Sequence, residues 1–282
     1  MIALSYTGIL KIIKKIKLLF LHIDLSISKI NKTVTSCIQL QNIRQSKEKI
    51  MSLVTADNLE KTYQIGEITV KAIRGVNFSI EPASFVSFVG PSGSGKTTLL
   101  NMIGCLDPPT GGYLQVVGQD IANMNRKQAA RFRGKHIGFV FQDFNLIPVL
   151  TVFENVEYPL LMVQNWSEQK RKKQVQNLLE AVGMGDQAVK YPSQISGGQK
   201  QRVAVARALV TNAKLVLADE PTANLDGKTA SRIINLMKKM RDELNTTFIF
   251  STHDPRVVRN AEIIFTLEDG RLLQNNNGGA HV

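Results

Sequence analysis

The sequence predicts an α/β fold built around a parallel sheet, on three observations. The stretch FVSFVGPSGSGKTTLLNMIG (85–104) is an apolar strand, a glycine-rich turn and an apolar helix in succession. The stretch KLVLADEPT (214–222) is a second apolar strand, ending in the carboxylates Asp219 and Glu220. The stretch FIFSTHDP (248–255) is a third, ending in His253. In an open parallel sheet the carboxyl ends of the strands line the ligand crevice, so these three endings are expected at one edge.

Composition bounds the reading. The 282 residues are 43% hydrophobic and 21% charged, ordinary values for a folded globular chain. No uncharged apolar run is long enough to span a bilayer. Two unpatterned cysteines, Cys37 and Cys105, do not make a disulfide framework or a zinc site, which points to a reducing compartment. The formal net charge is +12, but residues 1–50 hold +7 of it. The basic excess therefore belongs to the N-terminal arm, and no nucleic-acid partner is expected.

That arm includes ILKIIKKIKLLF (9–20), with Ile9, Ile12, Ile13, Ile16 and Phe20 on one helical face and Lys11, Lys14 and Lys15 on the other. Such a helix suits an anionic membrane surface. The plainer reading is favoured: SLVTADNLEKTY after Met51 looks like the start of the folded domain, and residues 1–50 are an extension outside it.

The first glycine turn, Gly90-Pro91-Ser92-Gly93-Ser94-Gly95-Lys96-Thr97-Thr98, is a Walker A pattern in its required strand-before, helix-after context. Glycines let backbone N–H groups close around phosphate oxygens, and the new helix points its positive end at them. Lys96 is placed to reach the β- and γ-phosphates, and the Thr97 hydroxyl to ligate Mg²⁺. Asp219 is expected to hold the Mg²⁺ shell. Glu220, one residue on, is expected to polarise the attacking water as general base. Gln142 closes the strand-like run of HIGFVFQDF, and His253 closes the strand after the acidic pair. His22, His136 and His281 have no such placement.

A second glycine turn lies far from the first. Ser196-Gly197-Gly198-Gln199 opens the helical run of QISGGQKQRVAVARALV (194–210) and can also present N–H groups and a hydroxyl to an anion. The first turn encloses a nucleotide from one side only. An economical use of the second is to close the site of another copy across a two-fold axis, although spacing alone does not establish this.

The order of Walker A, Gln142, ISGGQ, the acidic pair, NLD (224–226) and His253 resembles the ATP-binding-cassette ATPases over about residues 51–273. The resemblance implies a P-loop core, an N-terminal antiparallel β subdomain, a helical subdomain over about 143–200, and a polar tail over 274–282. It implies that Tyr63 stacks on adenine and that Gln142 senses Mg²⁺ and the attacking water. Ser196, Gly198 and Gln199 would bind the partner's γ-phosphate, Asp226 would couple the two sites, and His253 would hold γ-phosphate and water. Two positions depart from the family pattern, Ile195 for leucine and Ala223 for glycine, and both changes are small.

The helical segments TVFENVEYPLLMVQ and SEQKRKKQVQNLLEAVGM are too short for the coiled coil of chromosome and repair ATPases, and one cassette is present rather than two. A transporter subunit is therefore expected. GEITVKAIRGVNFSI, LIPVLTVFENVEYPLLM and THDPRVVRNAEIIFTLEDGRL resemble the lipoprotein-releasing and macrolide-exporter branch, with the cell-division ATPase as a neighbour. That likeness implies a homodimer at the cytoplasmic face of the inner membrane. It would hydrolyse ATP with Mg²⁺ and energise a separate integral membrane permease, whose coupling helix would dock by residues 143–165. Two other classes are weighed: a regulatory switch on a cell-division or stress-sensing membrane protein, which moves no solute, and a DNA-associated ATPase.

Overall fold

A computed structural model of the chain describes residues 52–163 and 165–277. The readings made for residues 1–51, Cys37 and His22 among them, and for 278–282 lie outside these.

The described chain opens with a hairpin of β1 (Val54–Ile65) and β2 (Ile68–Ile80). After β3 (Phe85–Val89) and α1 (Lys96–Ile103), the strands β4 (Gly111–Val116) and β5 (Gln119–Asp120) join that hairpin. The result is a four-stranded antiparallel sheet in the order β2-β1-β4-β5. This is the antiparallel β region that the resemblance implied.

Next come α2 (Arg126–His136), β6 (Ile137–Val140), α3 (Val152–Val163), α4 (Glu168–Ala181) and α5 (Gly197–Leu209). The chain then alternates through β7 (Leu215–Asp219), α6 (Gly227–Leu244), β8 (Thr247–Ser251), α7 (Pro255–Asn260), β9 (Ile263–Glu268) and β10 (Arg271–Asn277). The second sheet has the order β10-β9-β3-β8-β7-β6. All its neighbours are parallel except β9 and β10.

The central strands are apolar because both of their faces are covered, as parallel sheets require. Their period of two sorts side chains between two cores. Phe85, Val216, Phe248 and Phe250 pack toward α3, α4, α5 and α6. Val86, Phe88, Leu217 and Ile249 pack toward α1 and the antiparallel sheet. Cys105 is buried in the second core, and burial pushes its thiol up to about 12, so it is an inert packing residue.

The helical run read over 194–210 is α5, whose Val203, Val205, Ala206 and Leu209 bury against the sheet. One boundary differs from expectation. The polar tail does not begin at 274, since β10 runs through Asn277 with Asn275, Asn276 and Asn277 in register with Phe265, Ile264 and Ile263. Backbone pairing does not depend on side-chain polarity. The Asp269-Gly270 turn, with φ of 45° and 74°, folds the hairpin back with the twist that strands prefer.

Candidate functional site

The carboxyl ends of β3, β6, β7 and β8 meet around a cleft of about 540 Å³, as a parallel sheet predicts. Gly90, Pro91, Ser92, Gly93, Gly95, Lys96, Thr97, Thr98, Gln142, Asp219, Glu220, Ser251 and His253 line it.

The loop between β3 and α1 needs glycine for identifiable reasons. Gly90 has φ 151°, and a Cβ there would lie 2.0 Å from the Leu267 carbonyl oxygen. Gly95 caps α1 at φ 105°, and its Cβ would meet the Ala72 carbonyl oxygen at 2.6 Å. Lys96 Nζ donates to the carbonyl oxygens of Gly90 at 2.9 Å and Pro91 at 2.8 Å, so the ammonium is folded over the loop. The Thr97 hydroxyl donates to Asp219 Oδ2 at 3.3 Å and joins the loop to β7. Ser94 departs from the rest of the loop. Its side chain is buried beneath the turn, outside the cleft lining, and its Oγ has no hydrogen-bond partner among the described residues.

Glu220 follows β7 in a left-handed conformation, φ 46°. Its N–H donates to the Ser251 carbonyl oxygen at 2.9 Å. Its carboxylate is held on both oxygens: the Thr252 hydroxyl donates to Oε2 at 2.9 Å, and His253 Nδ1 lies 2.6 Å from Oε1. His253 itself is 78% exposed, so its ring reaches into the cleft. The sequence reading omitted Thr252. Its position at the end of β8, directly before His253, is the signal that could have identified it.

Gln142 lies across the cleft, after β6. Its carbonyl oxygen accepts from Asn224 Nδ2 at 3.1 Å, and Asp143 Oδ1 accepts from the same amide at 2.9 Å. Asn224, the first residue of NLD, has a role that the sequence does not reveal: it ties the Gln142 turn to the segment after Glu220.

The remaining expected residues lie elsewhere. Tyr63 does not line the cleft; its hydroxyl donates to Asp107 Oδ2 at 2.6 Å, and the Lys61 ammonium sits 5.0 Å from its ring centroid. Burial, and then the bond to Asp107, raise its pKa. Ser196 caps α5, exchanging hydrogen bonds with Gln199: its N–H donates to Gln199 Oε1 at 2.9 Å and its Oγ accepts from Gln199 N–H at 3.3 Å. Gly198 packs on α6, where a Cβ would meet Thr229 Cγ2 at 2.4 Å, while Gly197 has no such close neighbour. Ser196, Gly198 and Gln199 line a separate cavity of about 300 Å³. Asp226 caps α6, accepting from the N–H groups of Lys228 and Thr229 at 3.0 Å each. Hydrogen bonds from Thr229 lower its pKa.

A cleft with an ammonium on one side, and on the other two carboxylates of which Glu220 is paired with a histidine, suits phosphoanhydride cleavage. The chain is a P-loop nucleotide-binding protein. The family profile described as ABC transporter matches residues 73–223. An uncharacterized ABC transporter ATP-binding protein of Thermotoga maritima is 44% identical over 225 residues, covering 80% of this chain and 94% of that relative. The macrolide export ATP-binding/permease protein MacB of Syntrophobacter fumaroxidans is 43% identical over 221 residues. That match covers 78% of this chain, which spans only 31% of the relative. Among solved structures, the dimeric post-hydrolysis state of a Methanocaldococcus jannaschii ATP-binding cassette bound to ADP and Pi aligns with TM-score 0.74 at 42% identity. It covers 81% of this chain and all of that one. The chain belongs to the ABC transporter family, as its ATPase subunit.

Proposed function

We propose that this chain binds ATP in the cleft, closes on it as a homodimer, and drives a separate membrane permease of an export or lipoprotein-release system. The observation that carries the reading is Glu220, whose carboxylate is gripped by Thr252 and His253 at the rim of a phosphate loop.

In this reading the loop N–H groups and Lys96 hold the β- and γ-phosphates. Lys96 exchanges its carbonyl partners for phosphate oxygens. Glu220 accepts a proton from the attacking water as the bond from the γ-phosphorus to the β-phosphate oxygen breaks and ADP leaves. His253 steadies Glu220 through Nδ1 and offers its other ring nitrogen to the γ-phosphate. Tyr63, at the Thr98 end, supplies a surface for adenine. Ser196, Gly197, Gly198 and Gln199 complete the partner's site, and Asp226 couples the two.

The oxygen donors Thr97 Oγ1 and Asp219 Oδ2, 3.3 Å apart with Gln142 lining the same cleft, fit Mg²⁺. When bound, the ion neutralises phosphate charge. The dimer would sit peripherally at the cytoplasmic face of the inner membrane; among the described residues no helix is long and apolar enough to cross a membrane.

The test is Glu220→Gln, which keeps shape and removes basicity. ATP affinity is expected to persist, turnover to fall at least about a hundredfold, and an ATP-stabilised dimer to accumulate. Undiminished steady-state hydrolysis would sink the general-base role.

A further inference from the structure

Helix α5 buries one polar side chain among its apolar ones. Gln201 is fully buried, at 0% exposure. Its Nε2 donates to the Pro221 carbonyl oxygen at 2.7 Å, while its Oε1 has no hydrogen-bond partner among the described residues. A half-satisfied buried amide costs stability, and an apolar side chain of the same size would fill the space without that cost. Packing therefore does not account for it.

The single bond falls beside Glu220. That residue combines φ 46° with a following proline, an uncommon backbone state that persists only where neighbours over-determine it. Ser251 O takes the Glu220 N–H at 2.9 Å, Glu220 O takes the Ala223 N–H at 3.2 Å, and Asp254 Oδ2 takes the Thr222 hydroxyl at 2.6 Å. These restraints come from the segment itself, from the last residue of β8 or from the turn after it. The Gln201 bond is the restraint that comes from α5, and α5 begins at Ser196. A capped helix moves as a unit, so a displacement at Ser196 reaches Pro221.

We infer that Gln201 is a positioning residue that ties the Ser196 end of α5 to the Glu220 segment, so that engagement of one nucleotide site sets the geometry of the base in the other. The inference rests on the proposed two-chain closure: Ser196 of a chain meets the partner's γ-phosphate, while Glu220 of the same chain serves its own.

The test uses the full chain with Gln201→Met, close in volume and lacking the amide donor. Steady-state hydrolysis against ATP concentration, nucleotide affinity, Tm and ATP-driven dimerisation in a Glu220→Gln background are measured. The expected result is a kcat about tenfold lower with nucleotide affinity and Tm retained. The dependence of rate on ATP loses its cooperativity, and the Gln201→Met, Glu220→Gln chain still dimerises with ATP. Unchanged kcat and cooperativity overturn the inference. So does a kcat loss that tracks a fall in Tm and affinity, because a merely structural role gives that pattern. Non-cooperative hydrolysis by the unaltered chain also overturns the coupling. If the methionine variant does not fold, Gln201→Leu is read by the same criteria. Failure of Glu220→Gln alone to dimerise with ATP removes the closure reading, and the coupling with it. A normal dimer with unaltered Gln201→Met kinetics removes the inference alone.

Discussion

Asp254 shows how much a single residue beside the cleft can hold. Its carboxylate accepts from the Arg256 N–H at 2.8 Å, from Arg256 Nη2 at 2.8 Å and from the Thr222 hydroxyl at 2.6 Å. Burial would raise its pKa, but the Arg256 and Thr222 bonds outweigh that and hold it down at about 2. A depressed carboxyl stabilises the fold above its unfolded value near 3.8, and that contribution is lost as pH falls through about 2. Asp254→Asn is therefore expected to cost about 2 kcal/mol near neutrality. In urea unfolding the gap from the unaltered chain should close progressively below pH 4; a gap that does not depend on pH would refute the assignment. Asp254 and Thr222 were not legible in the sequence as partners. Strand ends are marked by where apolar runs stop, which located Asp219, Glu220 and His253. Which hydroxyl meets which carboxylate depends on the register between β7 and β8, and no single stretch of sequence carries that.

At the scale of elements, two helices start with the same device. Asn125 caps α2 and Ser196 caps α5, each exchanging bonds with a glutamine three residues on. Asn125→Ala and Ser196→Ala are each expected to cost about 1 kcal/mol of stability by denaturant unfolding. Only the second should also reduce ATP turnover, because only that cap is assigned to a phosphate. Equal turnover losses in both would mean that the serine matters as a cap alone. Helices α3 and α4 and the central strands were legible from periodicity and apolar runs. So was α5, as the helical run through 210; the end of β10 was not, because backbone pairing carried it through three asparagines.

For the whole molecule, the main consequence is that the second glycine turn lies outside the cleft. Ser196 lines its own cavity, while Lys96 and Glu220 line another, as the proposed two-chain closure requires. A Lys96→Ala chain and a Ser196→Arg chain are each expected to be nearly inactive alone. Mixed, they form a dimer in which one site joins the intact loop of the second to the intact turn of the first, and ATPase activity should partly return. A chain carrying both changes, mixed with the unaltered one, makes no fully intact site in the mixed dimer and serves as the control. No recovery despite proven mixed dimers would mean that a site is complete within one chain or that both sites must fire together. A crosslink between cysteines placed beside Ser92 and Ser196 would separate these. The sequence raised this question through its spacing, and the family resemblance supplied the expected closure; a single copy shows the two separate cavities.

The folded-over Lys96 ammonium, bonded to the Gly90 and Pro91 carbonyls, bears on the entropy of nucleotide capture. A free lysine side chain gives up rotamer freedom worth up to about 2 kcal/mol when it is fixed. Here much of that ordering takes place during folding, before any phosphate arrives. Capture then resembles an exchange of ligands on a positioned cation more than the immobilisation of a roaming one.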